Sequence, residues 1–214
     1  MKKLIRIIFL AGIVRPLVSL LLGRCLKGRE HLPTHGPAII VANHNSHLDI
    51  LYLITLMPLK ALPLLRPVAA ADYFCSTPLN SWLSDTFLGI IPLKRKRGSF
   101  HADPLAGPAT ALEQGEIVII FPEGTRGEPE ALGQIKPGVA HLAKRFPVVP
   151  VVPVFMRNLG RSLPRGSFIL VPFCGKAAVG EPRCFSGDTR LFTAELAITM
   201  QQLHQDSSAE HSLE

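Results

Sequence analysis

Six short apolar or β-branched runs, at 38–42, 68–71, 89–93, 116–121, 148–154 and 168–172, punctuate this chain, and each is too short for a stable helix. Between them lie segments of helical pattern: 48–57, which must stop near Pro58, then 108–115 with Pro108 in its first turn and Gly115 at its end, 137–146, and 188–204, which Asp188 can cap. Strands that alternate with helices imply an α/β fold with a mixed, largely parallel central sheet flanked by helices. A chain of 214 residues is one domain's worth and buries enough surface to need no disulfide or metal staple. No repeat or low-complexity tract interrupts it.

The formal net charge of +7 is concentrated at one end. Seven basic residues (Lys2, Lys3, Arg6, Arg15, Arg24, Lys27 and Arg29) precede the first acid, Glu30, so the remaining chain is balanced at 16 basic and 16 acidic groups. Apolar runs lie between those charges, but Arg6, Arg15 and Pro16 divide them into pieces shorter than the about 18 residues that a spanning helix needs. No small-x-small cleavage site follows Leu22, which argues against a secretory signal. Residues 1–25 are therefore expected to form a membrane-associating helical arm that lies on the lipid surface, with a spanning segment and a buried core helix as the alternatives, 26–204 the α/β domain, and 205–214 a disordered tail. On this reading, removal of residues 1–24 leaves a folded domain.

The four cysteines (Cys25, Cys75, Cys174 and Cys184) have neither C-x-x-C pairing nor regular spacing. They are expected to be small buried hydrophobes in a reducing compartment.

Chemistry concentrates where the first run gives way to a helix, in Asn43-His44-Asn45-Ser46-His47-Leu48-Asp49. On one helix, residues five apart point about 140° away from each other, so His44 and Asp49 can meet only if His44 lies in the incoming loop. The capping-box pattern Ser46-x-x-Asp49 starts the helix at Ser46 and leaves His44 there. A carboxylate on one imidazole nitrogen fixes the tautomer and frees the other nitrogen to accept a proton. Such a dyad has no nucleophile of its own and suits a substrate hydroxyl.

Two further segments carry candidate binding groups. Phe121-Pro122-Glu123-Gly124-Thr125-Arg126-Gly127 leaves the carboxyl end of the plainest strand, where open α/β sheets bind ligands; its glycines allow close approach and Arg126 offers a phosphate-matching fork. The run 89–93 ends in Lys94-Arg95-Lys96-Arg97. Nucleic acid is a poor fit for that run, because only Phe100 lies nearby to stack on a base and the rest of the domain is neutral.

In this order, His44-x4-Asp49, the segment 89–95, Phe121 to Arg126 and Val149-Pro150-Val151-Val152-Pro153-Val154 resemble the four sequence blocks of the 1-acylglycerol-3-phosphate acyltransferase family. Gly28-x-Glu30-x-Leu32-Pro33 and Lys136-Pro137-Gly138 are similar to its flanking segments, and the resemblance covers roughly 26–178. It implies acyl transfer from acyl-CoA or acyl carrier protein to a hydroxyl of a lysoglycerolipid, 1-acylglycerol-3-phosphate giving phosphatidic acid, at the cytoplasmic face of the inner membrane. No cofactor or metal is implied. His44 then is the general base and Asp49 its orienting partner, with Arg95, Arg126 and Lys136 holding the acceptor phosphate and Gly124 and Thr125 in the same substrate loop. Glu123, also assigned to that loop, is expected to pair with an Arg or to accept hydrogen bonds from backbone N–H groups or the acceptor hydroxyl. The family often carries F-I-D-R where this chain has Pro92-Leu93-Lys94-Arg95, so another lysolipid acceptor stays open.

Two other classes compete. His44, His47 and Asp49 could be cast as ligands of a metal-dependent hydrolase, and a noncatalytic lipid-binding module would keep the basic arm without the dyad. A serine hydrolase is disfavoured, because the chain contains no G-x-S-x-G.

Overall fold

The computed structural model describes residues 2–71, 77–93, 103–125, 127–128, 131–163 and 170–209. Among these, seven strands form one sheet: β1 (Cys25–Lys27), β2 (Ala38–Ala42), β3 (Leu65–Ala70), β4 (Ile91–Leu93), β5 (Ile117–Ile120), β6 (Val151–Arg157) and β7 (Lys176–Val179), in the order β1-β7-β6-β2-β5-β3-β4. Neighbours are parallel except β6 and β7, which run antiparallel. The sheet is thus mixed and largely parallel, as expected. β2 and β5 sit at its centre with every β2 residue buried, which is why both are apolar throughout rather than alternating.

Helices cover both faces. On one face Ile40, Ile119 and Val154 pack beneath α3 (Asp49–Leu56) and an N-terminal helix; on the other Ile39, Val118 and Phe155 pack beneath α5 (Ala106–Glu113), α6 (Gly138–Arg145) and α8 (Thr189–Ala209). The short α4 (Pro78–Leu83) and α7 (Leu159–Ser162) lie at the margins. As expected, Asp188 caps α8, accepting from the N–H groups of Arg190 and Leu191 at 2.7 and 2.8 Å.

Several elements differ from expectation. The N-terminal helix is unbroken from Lys2 to Leu22: α1 (Lys2–Phe9) passes through a π-helical turn, Leu10–Val14, into α2 (Arg15–Leu22). In that turn the Arg15 N–H reaches back five residues to the Leu10 carbonyl, which absorbs the disruption expected of Pro16. By length and composition this helix could cross a membrane, yet it is also part of the domain. Arg6, Leu10, Val14, Val18 and Leu22, spaced four apart, form a buried stripe, and the last four join the hydrophobic core. Arg6 breaks nothing on the outer face, because its guanidinium turns inward to the Asp85 and Thr86 carbonyls at 2.7 and 3.4 Å, at the end of the π-helical turn Ser84–Leu88.

Expected strand 168–172 lies partly outside the described residues, and Leu170 to Pro172 carry no strand. The strand beside β6 is β7, whose Lys-Ala-Ala-Val has no β-branched run to announce it. α8 continues to Ala209, past the expected start of a disordered tail at Gln205, because the alanine, serine and glutamine residues there do not end a helix that is already nucleated. Finally, Cys25, Cys174 and Cys184 are exposed rather than buried; Cys75 lies outside the described residues.

Candidate functional site

β2 and β5 are parallel, so the loops leaving them emerge side by side at the carboxyl edge of the sheet. Asn43, the first residue past β2, is 1% exposed and behaves as a side-chain extension of the strand. Its Nδ2 donates to the Met156 carbonyl at 2.9 Å while its Oδ1 accepts from the Met156 N–H at 2.7 Å. That pair continues the β2–β6 ladder by one rung and frees the backbone to turn.

In the turn, His44 Nδ1 meets Asp49 Oδ2 at 2.8 Å. The same oxygen accepts the N–H groups of Asn45 and Ser46 at 2.7 and 2.8 Å. One half of the expected capping box is therefore present, with the acidic side chain reaching back to the Ser46 N–H. The other half differs: α3 begins at Asp49, and Ser46 Oγ accepts the Leu48 N–H at 3.3 Å and donates to the Leu163 carbonyl at 3.2 Å. Asp49 is almost wholly enclosed, whereas the His44 side chain keeps 22% of its surface. A buried carboxylate that also accepts two backbone N–H groups is fixed in place against the imidazole, and Nε2 is the ring nitrogen that Asp49 does not engage.

Phe121, at the end of β5, stacks on the His44 ring with centroids 4.4 Å apart. Two residues on, Glu123 is 5% exposed. Its Oε1 accepts the His44 N–H at 2.9 Å and its Oε2 the Gly133 N–H at 3.2 Å, so of the three kinds of partner expected for it the carboxylate has backbone donors. Burial pushes its carboxyl above the usual range, against the two N–H donors, which pull it down. The Gly127 N–H closes the frame by donating to the His44 carbonyl at 2.8 Å. Glu123 thus braces His44 from behind.

Gly124 adopts φ +71°, and a Cβ placed there would come within 2.6 Å of Lys136 Nζ. The lysine ammonium therefore lies against the Gly124 turn, beside the strand end that carries Glu123, while Thr125 is exposed. Arg95 and Arg126 lie outside the described residues, as does the Lys94 to Arg97 run. His47 is exposed, and among the described residues no three His, Cys, Asp or Glu side chains converge as a metal-ligand set.

Sequence reasoning identified His44, Asp49, Glu123 and Lys136 but not the groups that hold them. Asn43, Phe121 and Gly133 act through contacts with residues up to 113 positions away. The one available signal was an amide residue immediately after a wholly apolar strand, where a buried Asn must find backbone partners.

Comparison with known proteins agrees with this architecture. Residues 24–157 match the family described as Acyltransferase. The chain is 34% identical over 143 residues to the chloroplastic 1-acyl-sn-glycerol-3-phosphate acyltransferase LPAT1 of Arabidopsis thaliana, covering 66% of this chain and 38% of that protein. It is 33% identical over 134 residues to 1-acyl-sn-glycerol-3-phosphate acyltransferase alpha of Homo sapiens, covering 62% of this chain and 45% of that protein. The match therefore spans less than half the length of either relative. The crystal structure of the 1-acyl-sn-glycerophosphate acyltransferase PlsC from Thermotoga maritima shares the fold, with a TM-score of 0.72 and 20% identity over 94% of this chain and 79% of that one. With its matched segment spanning β1 to the end of β6 and containing the His44, Asp49 and Glu123 constellation, the chain belongs to the acyltransferase family.

Proposed function

We propose that the protein transfers a fatty acyl group from a thioester, acyl-CoA or acyl carrier protein, to the free hydroxyl of a lysoglycerolipid, with 1-acylglycerol-3-phosphate as acceptor and phosphatidic acid as product. The observation that carries the reading is the His44 Nδ1 to Asp49 Oδ2 contact of 2.8 Å, at the start of α3, with the same carboxylate oxygen also held by two backbone N–H groups. His44 Nε2 takes the proton of the acceptor hydroxyl as its oxygen attacks the thioester carbonyl, and Asp49 stabilises the imidazolium that results. When the tetrahedral intermediate collapses, the carbon–sulfur bond breaks and the imidazolium returns the proton to the departing thiolate. An ester and a free thiol are the products. Glu123 keeps the His44 backbone in place.

Lys136, beside the Gly124 turn, supplies positive charge for the acceptor phosphate, and Arg95 and Arg126 join it by their positions in the family's sequence blocks. The names of the relatives favour the lysophosphatidic acceptor, and the exposed apolar side of the N-terminal helix favours work at a membrane surface, which the family resemblance assigns to the cytoplasmic face of the inner membrane. The test is to incubate the purified protein in detergent with isotope-labelled acyl-CoA or acyl carrier protein and a panel of lysolipids, reading products by mass. Labelled phosphatidic acid is the expected product. Labelled product from a different lysolipid alone would reassign the acceptor, and no labelled lipid from any pair would overturn the enzymatic reading.

A further inference from the structure

The N-terminal helix ends at Leu22, and within three residues the chain enters the edge strand β1 at Cys25. β1 pairs with β7 in a register that sets Cys25 opposite Lys176, and the Cys25 N–H donates to the Gly175 carbonyl at 3.4 Å. This brings Cys25 Sγ to 3.5 Å from Cys174 Sγ, across 149 positions of sequence. Both thiols are exposed. Gly23 makes room for the second of them: its φ is +64°, and a Cβ there would stand 3.1 Å from Cys174 Sγ. The backbone around Cys174 is held from the sheet side, where Asn158 Nδ2 donates to the Cys174 carbonyl at 2.7 Å and the Tyr52 hydroxyl donates to the Gly175 carbonyl.

A disulfide needs sulfurs about 2.05 Å apart, so the pair, now at 3.5 Å, must close by about 1.5 Å. Burial and the neighbouring Cys25 push the Cys174 thiol up, and Lys176 only partly offsets them, so the thiolate, which is the reacting form, becomes more available as pH rises. We propose that Cys25 and Cys174 are a redox modification site that closes to an intramolecular disulfide by exchange with a low-molecular-weight disulfide of the glutathione class. One protein thiolate attacks the reagent's sulfur–sulfur bond, giving a mixed disulfide and releasing one thiolate. The second protein thiolate then attacks the bonded protein sulfur and expels the other. Both protein thiols are oxidised, the reagent is reduced to two thiols, and the two protein protons end on them. The bond fastens the exit of the N-terminal helix to the segment that feeds β7, closing a very long loop, the case in which a crosslink restricts the unfolded chain most.

The test uses the full-length protein in detergent micelles, equilibrated with oxidised glutathione or with dithiothreitol, digested without reduction and read by mass spectrometry. The expected result is a crosslinked peptide pair containing Cys25 and Cys174, formed equally well in Cys184→Ser, with the melting temperature raised in both proteins. Cys25→Ser and Cys174→Ser should instead stop at a single glutathione adduct on the remaining partner and show no oxidation-dependent change in melting. Stable separate adducts on Cys25 and Cys174 in the unsubstituted protein, or a crosslink that involves Cys184, would overturn the proposal. So would an unchanged melting temperature in fully crosslinked protein.

Discussion

Asp49 Oδ2 serves three donors at once, so its removal does more than deprive His44 of a charge. His44→Ala should lower acyl transfer by about 10²–10⁴-fold, the range a general base supplies, with the circular dichroism spectrum and melting temperature nearly unchanged. Asp49→Asn should lose comparable activity and also stability, because the amide cannot satisfy the Asn45 and Ser46 N–H groups while orienting the imidazole; hydrogen bonds to a charged group are worth about 1.5–3 kcal/mol. His47→Ala should do neither, and a large loss there with normal His44→Ala activity would reverse the assignment. Glu123 gives a pH test. Its folded carboxyl titrates above the ordinary range because it is buried, so the folded protein binds that proton more tightly than the unfolded chain does. Stability contributed by the proton is present below the unfolded value, about 4.3, and is lost as pH rises through the folded one. Urea midpoints of the unsubstituted protein should therefore fall relative to Glu123→Gln across that window, and parallel curves would remove the titration from Glu123. The dyad could be read in the sequence because its partners are five residues apart; the Glu123 contacts could not, since they join positions 79 and 10 residues away.

At the scale of elements, the N-terminal helix has two sides with different consequences. Leu10 is fully buried against the sheet, and Leu20 is 85% exposed. Leu10→Ala should cost about 2–5 kcal/mol, as core truncations do, whereas Leu20→Ser should stay within about 0.5 kcal/mol in denaturant titrations. Equal effects would mean that the helix is not packed on the domain in solution. The same contrast explains what the sequence concealed. A period of four at Arg6, Leu10, Val14, Val18 and Leu22 is visible in the residues, but the arginine reads as an interruption until its partners, the Asp85 and Thr86 carbonyls some 80 residues away, are known. β2 and α8 were legible because each carries a local signal, an apolar run in one and an Asp188 cap in the other. β1, with Cys-Leu-Lys, and β7, with Lys-Ala-Ala-Val, carry none; β7 is a strand because β6 offers an edge, and β1 because β7 then offers one.

For the whole molecule, the N-terminal helix is both a wall of the domain and an apolar outer surface. Because Leu10, Val14, Val18 and Leu22 fill the space over one face of the sheet, deletion of residues 1–24 should yield an unfolded or aggregating chain rather than the separable domain that the sequence suggests. Membrane association must therefore be tested without truncation. Leu4, Ile8, Ile13, Leu17 and Leu20 point away from the sheet, and Trp82 of α4 adjoins them through Phe87, which contacts Phe9 with ring centroids 4.8 Å apart. Burying an exposed Leu or Ile side chain in an apolar phase stabilises by about 1.5–3 kcal/mol, and each Lys or Arg near an anionic surface adds about 1 kcal/mol. Exposed Lys2, Lys3, Arg24, Lys27 and Arg29 flank the two ends of this apolar face, so insertion and charge should act together. Replacing Leu4, Ile8, Leu17 and Leu20 by Ser leaves the buried stripe intact, so the variant should melt close to the unsubstituted protein while losing most cosedimentation with anionic vesicles. Raised salt should weaken binding of the unsubstituted protein only in part, because insertion survives screening, and should nearly abolish what the variant retains. Equal sedimentation of the two proteins at both salt concentrations would place the membrane contact on another face of the domain.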